Sequence, residues 1–412
     1  MPLLILFIVL LFLLLLNKKN KFSIFLIAIQ ILSITSAVII GKDYFIEDYF
    51  QVFNLLFTFT ILSLIILPWR NVKSIEEIDD LDYYKIVRLT KILFYISIIP
   101  FFVFSFITII VNTTIDDINN FKYAEGISTD FYYSLPININ FLIISTFLNY
   151  VSYFFIPLHF YFLNKKKYWL AFFCFLFSLN LILYGTSFFS RSVFIHYILI
   201  YISLLILFYG LLNSDLKKRI KRITILLCGI FLVYFSYVSN KRFEDDQNYA
   251  DTIPKESIIR DPVNYGYLDY SSQWYANNMI VLNDYRFEGF NGQITFQSVL
   301  TLLGQYGVIP YDSKEYQRLR QDLWPEHWYT FNGFVSYSVY DYGYILTLIL
   351  CVIYYRYINR NFTNKSKFNI NEMIIIAFLI QIPLMAIFYS NVASLVFPII
   401  FYIPVYRYLK KA

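Results

Sequence analysis

The chain has 412 residues, of which 58% are hydrophobic and 15% are charged, and its formal net charge is +6 at pH 7. Soluble domains carry about 25% charged residues, so this composition excludes an ordinary soluble enzyme, a disordered chain and a secreted disulfide scaffold. It is typical of a polytopic membrane protein, because an apolar stretch of about 20 residues can cross a hydrocarbon core of roughly 30 Å.

Apolar stretches follow one another along the chain. They occupy residues 2–16, 22–40, 52–69, 92–111, 138–163, 169–189, 193–212, 223–239, 337–355, 373–388 and 393–409. The first is short, and its lysines follow it instead of preceding it, which favours an N-terminal anchor over a cleaved signal peptide. We therefore predict an all-α polytopic integral membrane protein with about 11 transmembrane helices.

The basic residues set the expected orientation. Lys and Arg cluster in every second polar loop, and by the positive-inside rule these loops face the cytoplasm. The N-terminus is then expected outside and the C-terminus inside. The chain divides into eight helices in 1–239, a large extracytoplasmic loop in 240–336 and three helices in 337–412.

Segment 240–336 is expected to fold, because a loop of this length without structure would be unusual. Its apolar residues recur at helical spacing in 267–283 and again in 292–309. Asp312 and Glu315 form an N-cap pair that predicts a third helix, which Pro325 would end. Segment 240–336 is thus predicted to contain short helices.

Several common motifs are missing from the sequence. It contains no Walker A motif, no GxGxxG, no HExxH and no CxxC, so we expect neither ATP-driven transport nor a dinucleotide or zinc site. We expect no cofactor and no nucleic-acid partner. The three cysteines lie in apolar stretches, so no disulfide framework is indicated. Two acidic pairs, Glu47–Asp48 and Asp116–Asp117, would suit a divalent cation or acid–base chemistry, although two outer loops would carry such residues anyway.

Segment 240–336 combines residues that would suit a sugar–phosphate ligand. Flat aromatic rings can stack on sugars, arginine forks pair with phosphate oxygens, and carboxylates or imidazoles can accept a hydroxyl proton. The aromatic candidates are Trp274, Trp328 and Tyr329, the arginines are Arg242, Arg260, Arg286, Arg318 and Arg320, and the acceptors are Asp261, Asp269, Asp284, Glu326 and His327. The alternative is that the aromatic residues form an interfacial belt and the core of the segment.

Arg191 lies in a very short outer turn between two predicted spans, against the positive-inside trend. A lipid diphosphate would give this arginine a partner, and snorkelling to anionic lipid headgroups is the alternative. The two intramembrane histidines, His159 and His196, are predicted to be packed and hydrogen-bonded.

The run from Glu326 to Gly333, followed by 340–344, leads from segment 240–336 into the next span. It places Glu326, His327, Thr330 and Asp341 near the expected water–lipid boundary. Surface or helix-capping roles are the alternatives for His327, and Asp341 can simply lie outside the hydrocarbon.

The layout resembles the oligosaccharide repeat-unit polymerases, the Wzy-type O-antigen and capsule polymerases. Three short stretches carry this resemblance: Gly185-Thr186-Ser187 through Arg191, the run from Phe290 to Phe296, and Trp328-Tyr329-Thr330 with Tyr340-Asp341-Tyr342-Gly343. The resemblance implies a GT-C-like membrane glycosyltransferase of the bacterial plasma (inner) membrane. Such an enzyme joins oligosaccharide units carried on undecaprenyl diphosphate, alongside a flippase and a chain-length regulator.

The resemblance implies that Arg191 binds the diphosphate and that Tyr329, Thr330 and Asp341 line the acceptor side. Glu326, His327 or Asp341 is then the candidate general base. Arg242 and Arg260 are added on chemistry alone. The alternatives are a ligase that transfers a finished glycan, a transporter of the lipid-linked unit, a metal-dependent transferase that uses an acidic pair, and a non-catalytic partner.

Overall fold

The computed structural model describes residues 20–41, 49–79, 82–115, 131–132, 134–243, 251, 253–255, 257–324, 330–390 and 392–410. The described part is predominantly helical. Its helices up to residue 243 are α1 (Lys21–Ile39), α2 (Tyr49–Ile66), α3 (Tyr83–Thr114), α4 (Ile139–Asn149), α5 (Phe155–Asn164), α6 (Tyr168–Ser178), α7 (Asn180–Thr186), α8 (Arg191–Phe208) and α9 (Ser214–Phe243). The later ones are α10 (Pro262–Asn283), α11 (Gln293–Gln305), α12 (Ser313–Leu323), α13 (Gly333–Phe362), α14 (Ile370–Leu379), α15 (Gln381–Met385) and α16 (Val392–Lys410).

The polytopic membrane class is confirmed. Within the described ranges, nine helical segments are long and apolar enough to cross a membrane, and each corresponds to a predicted span. The predicted span at 373–388 forms a shorter apolar helical segment, Ile370–Met385. The stretch 2–16 lies outside the described residues, so the number eleven stays a prediction, as do the orientation and the three-part division of the chain.

Short 3₁₀ turns and one small sheet join these helices. The 3₁₀ turns are Leu67–Asn71, Tyr150–Phe154 and Tyr209–Leu211. Strand β1 (Glu77–Ile78) pairs in parallel with β2 (Lys367–Phe368). Beside this sheet, the Lys367 ammonium group forms an ion pair with the Asp79 carboxylate at 3.1 Å.

The described residues fall into two compact units. In the first, which takes in 1–73, 247–365 and 380–396, α10 packs on α1, α2 and α13, and α13 also packs on α2. The Trp69 indole of this unit donates to the Tyr354 hydroxyl at 2.9 Å, which ties the 3₁₀ turn after α2 to α13. Helices from distant parts of the chain thus share one core.

The second unit takes in 74–246, 366–379 and 397–412. Here α5 packs on α6 and α14, and α3 packs on α4 and α7. Buried Val103, Phe104 and Ile107 of α3 pack against Phe189 of the turn before α8. The second unit therefore has a buried apolar core of its own, in addition to the apolar side chains that would face lipid along the spans.

The three helices predicted in segment 240–336 are present. The first begins five residues earlier than predicted, at Pro262, because the Asp261 carboxylate accepts from the Asn264 N–H and proline suits the first helical position. The second ends at Gln305, ahead of the predicted 309, where Gly307 has a positive φ of 67°. Asp312 caps the third helix through the Lys314 N–H at 2.8 Å, as predicted.

Candidate functional site

Asp341 lies in α13 and caps the start of a different helix, α11. Its two carboxylate oxygens accept hydrogen bonds from the backbone N–H groups of Ile294 at 3.0 Å and Thr295 at 2.9 Å. The backbone N–H of Gly292 donates to the Asp341 carbonyl at 3.0 Å. An anionic acceptor suits a helix N-terminus, where the first N–H groups lack helical partners and carry partial positive charge. Asp341 is only 4% exposed, so the carboxylate depends on these bonds.

The local sequence before α11 explains why the cap comes from elsewhere. Gly292 occupies the N-cap position with a φ of 87°. It has no side chain that could accept hydrogen bonds from the first N–H groups of the helix. Just upstream, a Cβ on Gly289 would collide with the Tyr340 carbonyl, and the Phe290 N–H donates to that carbonyl at 2.7 Å. Two of the stretches that carry the family resemblance, 290–296 and 340–343, therefore pack directly against each other.

An aromatic cluster surrounds this junction. The Trp324 ring packs edge-on against Phe290, Tyr337 and Tyr340, with centroid distances of 5.0, 5.0 and 5.2 Å. The guanidinium carbon of Arg320 lies 5.6 Å from the centroid of the Trp324 ring, within the range of a cation–π contact. The cluster thus joins the C-terminal end of α12 to α13.

Burial and the charge of Arg320 act in opposite directions on the pKa of Tyr316 in this cluster. Burial raises the pKa of the Tyr316 phenol far above its usual value, and the nearby Arg320 charge opposes that shift. The Tyr316 phenol therefore stays neutral at physiological pH. Arg320 is the one candidate arginine in contact with this cluster among those whose side chains the structure describes.

Thr330 belongs to a second group of polar contacts in the same unit. Its hydroxyl accepts from the Asn277 amide at 3.0 Å and donates to the Asn332 side chain at 3.0 Å. One and two turns back along α10, Gln273 donates to the Asp269 carboxylate at 2.8 Å. A polar stripe on α10 thus faces the segment that leads into α13.

Trp274 is an interior residue of the first unit. It is 1% exposed, and its indole N–H donates to the Ser33 hydroxyl of α1 at 2.6 Å. In this structure its ring is packed against protein rather than presented to a ligand. Its predicted role in binding sugar stays a prediction that the packing does not favour.

Sequence reasoning missed a group of buried amides that hold α10 against α2 and α13. The Asn278 amide donates to the Thr58 hydroxyl at 3.0 Å and accepts from the Ser336 N–H at 2.9 Å. The Asn54 amide donates to Asn283 at 2.9 Å and accepts from the Tyr344 hydroxyl at 2.6 Å. Asn54 and Thr58 are polar residues one turn apart in an apolar stretch, and that spacing was the available signal.

The turn before Arg191 belongs to the second unit. Backbone bonds from Phe189 and Ser190 to the carbonyls of Thr186 and Gly185 close it, at 3.1 and 2.8 Å. The Tyr132 hydroxyl also donates to the Ser187 carbonyl at 2.5 Å. A Cβ on Gly185 would lie 2.6 Å from the Val193 Cβ, so only glycine fits between α7 and α8. The Gly185–Ser187 motif therefore has a packing reason of its own.

For Arg191 and Arg242 the structure describes the backbone. Arg191 begins α8, and Arg242 lies in the last turn of α9. The Phe194 and Tyr234 rings stack at 4.6 Å, which brings the start of α8 beside the C-terminal part of α9. Both arginines thus lie at the same end of this helix pair.

The remaining candidate arginines whose side chains are described bond nearby carbonyls or face outward. Arg260 donates to the carbonyls of Pro254, at 3.0 Å, and of Lys255, and Arg286 donates to the Asn283 carbonyl at 3.1 Å. Arg318 is exposed on α12.

Several candidates lie outside the described residues. These are Glu326, His327, Trp328, Tyr329 and the acidic pairs Glu47–Asp48 and Asp116–Asp117. Within the described ranges, no group of three or more His, Cys, Asp or Glu side chains could hold a metal ion.

The intramembrane histidines are packed and buried, as predicted. His159 Nδ1 lies 2.9 Å from the Ala171 carbonyl, and its Nε2 lies 3.3 Å from the Tyr201 hydroxyl. His196 is 6% exposed beside the Tyr153 ring.

The fold and these contacts define a polytopic α-helical membrane protein. Comparisons of the chain with protein-family models, with curated proteins and with solved structures found no match.

Proposed function

We propose that this protein is a membrane glycosyltransferase that joins undecaprenyl-diphosphate-linked oligosaccharide units into an O-antigen, capsular or exopolysaccharide polymer. The observation that carries the proposal is the junction between 290–296 and 340–343. Two stretches that resemble the polymerase family are distant in sequence, yet the Asp341 carboxylate bonds the start of α11. A functional assembly of these stretches would require such contact.

The chemistry of the transfer needs positive charge on the donor side. Glycosyl transfer passes through an oxocarbenium-like state while negative charge grows on the departing diphosphate. In the proposal, Arg191 binds that diphosphate, because fixed arginines stabilise developing charge more than they stabilise the ground state. Arg242 lies at the same end of the α8–α9 pair and is the second candidate for this role.

Asp341 acts as a positioning residue in this proposal. Both of its carboxylate oxygens accept hydrogen bonds from backbone N–H groups of α11. Its main role in the proposal is therefore to hold α11 in place and not to act as the general base. Glu326 and His327 then remain the candidates for the base that deprotonates the acceptor hydroxyl. Thr330 contributes to the acceptor side through the polar stripe of α10.

The test is polymer formation by the purified protein in nanodiscs. The substrate is the host's undecaprenyl-diphosphate-linked repeat unit, EDTA is present, and mass spectrometry measures the products. We expect a ladder of multiples of one unit. Arg191→Ala should abolish the ladder, whereas Arg219→Ala, at an exposed arginine elsewhere in the second unit, should leave it unchanged.

Other products would contradict the proposal. A single unit or finished chain transferred to another acceptor would identify a ligase. Movement of the lipid-linked unit across the bilayer without any transfer would identify a transporter. A ladder that forms only after a divalent cation is restored would move the chemistry to Glu47–Asp48 or Asp116–Asp117.

A further inference from the structure

Aromatic rings from three helices of the second unit form one layer. The rings of Phe94 in α3, Phe155 in α5 and Phe177 in α6 contact one another, with centroid distances of 5.3, 5.3 and 5.8 Å. About one helical turn from these rings in sequence, each segment carries a polar residue, and the 3₁₀ turn Tyr150–Phe154 and α7, which hold two of them, pack against α3 and against each other. These residues are Ser97, Ser152 and Asn180.

This polar layer is closed to solvent and incompletely bonded. Ser97, Ser152 and Asn180 are each 0% exposed. Within the described part of the chain, Ser97 Oγ, Ser152 Oγ and Asn180 Oδ1 have no hydrogen-bond partner. Asn180 uses its amide nitrogen to donate to the Ser97 carbonyl at 3.1 Å, which leaves only its oxygen unpaired. All three unpaired atoms are oxygens.

Proline interrupts the helical hydrogen bonding of two of these segments. Helix α3 contains Pro100, and α5 contains Pro157. Proline has no amide hydrogen, so the carbonyls of Ile96 and Tyr153 lose their helical donors. The third segment is interrupted at Leu179, between α6 and α7, and Ser152 itself lies in a 3₁₀ turn. Interrupted helices at membrane depth are tolerated where they line a cavity or are buried in protein.

We propose that this layer binds one monovalent cation of the Na⁺ type. Segments 83–114, 139–164 and 168–186 contain no Asp or Glu, so a divalent ion would have no opposite charge nearby. Hydroxyl, amide and carbonyl oxygens are the neutral ligands by which interrupted membrane helices hold Na⁺ near mid-membrane. A buried water is the alternative occupant, since it can accept from the two serine hydroxyls and donate to Asn180 Oδ1.

The site is independent of the proposed glycosyl transfer, and its test needs no sugar substrate. The detergent-purified full chain is unfolded thermally in NaCl, KCl and choline chloride at equal ionic strength, and bound ²²Na⁺ is measured by equilibrium binding. A ligand that binds only the folded state raises its stability with concentration. We expect the unfolding temperature to rise with Na⁺ and about one Na⁺ to bind per chain.

Variants of the layer separate the site from a general salt effect. Asn180→Ala and Ser152→Ala each remove one oxygen and should weaken Na⁺ binding by roughly tenfold or more, as loss of about 1.4 kcal/mol would. Asn112→Ala is the matched control, because Asn112 is exposed on α3 and donates to the Thr108 carbonyl. If Asn180→Ala does not fold, Na⁺ binding by the Ser152→Ala variant tests the site.

Two outcomes would overturn the proposal. One is an equal unfolding temperature in all three salts with no bound ²²Na⁺, which would mean that the layer holds water alone. The other is Na⁺ binding that Ser152→Ala leaves unchanged, which would place the ion elsewhere.

Discussion

At the residue scale, the junction depends on a few side chains whose partners are far away in sequence. Asp341 gives α11 the cap that Gly292 cannot provide. The capping pair could not be predicted from local sequence, because Asp341 and Ile294 meet only through the packing of α11 on α13. The 312–315 cap was predictable because its donor and acceptor lie within one turn.

The first prediction concerns Asp341→Asn. The amide keeps one acceptor but loses the charge and one of the two bonds, so we expect a loss of about 1 kcal/mol of folding free energy. Faster proteolysis within 292–324 should accompany it. Unfolding measured by Trp fluorescence checks the first effect, and Asp284→Asn, at an exposed position, is the control. Identical stability of the two variants would remove the capping role.

The second prediction concerns Gly185→Ala. The new Cβ would overlap Val193 and force α7 away from α8, which we expect to cost about 1–3 kcal/mol. Gly229→Ala is the matched control, since a Cβ there meets nothing within 4 Å and alanine suits a helix interior better. Thermal unfolding of both variants should give opposite shifts. A Gly185 variant as stable as the parent would show that the two helices can separate without cost.

At the element scale, α10 shows where hydropathy misleads. Its sequence is rich in Asn, Ser and Tyr, and on polarity it belongs to a predicted external loop. In the structure it packs along α1 and α2, because its side chains form hydrogen bonds with polar residues of those helices, such as Ser33 and Thr58. The helix itself was predictable from spacing. Its packing was not, since that depends on matching polar positions in separate stretches.

The third prediction tests that match through Asn278→Ala. The change leaves the Thr58 hydroxyl and the Ser336 N–H without this partner, and a buried unsatisfied group costs about 1–3 kcal/mol. We expect a lower unfolding temperature and faster hydrogen exchange in α10. Asn264→Ala, exposed on the same helix, should change neither quantity. Equal exchange in both variants would show that apolar packing alone holds α10.

At the scale of the whole molecule, the spans were predictable because length and hydropathy alone decide whether a helix can cross a bilayer. The N-terminal half of α13 is less regular than hydropathy indicates. Its backbone departs from helical geometry at Gly343, with a φ of 72°, and the Thr347 hydroxyl bridges the interruption by donating to the Ser338 carbonyl at 2.8 Å. No hydropathy pattern carries that information.

The fourth prediction concerns orientation. With the N-terminus outside, Lys314→Cys on α12 should react with a membrane-impermeant maleimide in intact cells, whereas Lys410→Cys should react only after permeabilisation. Both positions are exposed. The parent chain, whose cysteines are buried or partly buried, sets the background. Labelling of Lys410→Cys in intact cells would contradict this orientation and place residue 410 outside.

The bond from Asp341 to the start of α11 also sets an order of biosynthesis. A ribosome delivers α11 before α13, so α11 leaves the exit tunnel without its cap and must wait for a later part of the chain. The pairing of Glu77–Ile78 with Lys367–Phe368 imposes a longer wait on the first third of the protein. Nascent chains that end before Asp341 therefore lack the side chain that caps α11.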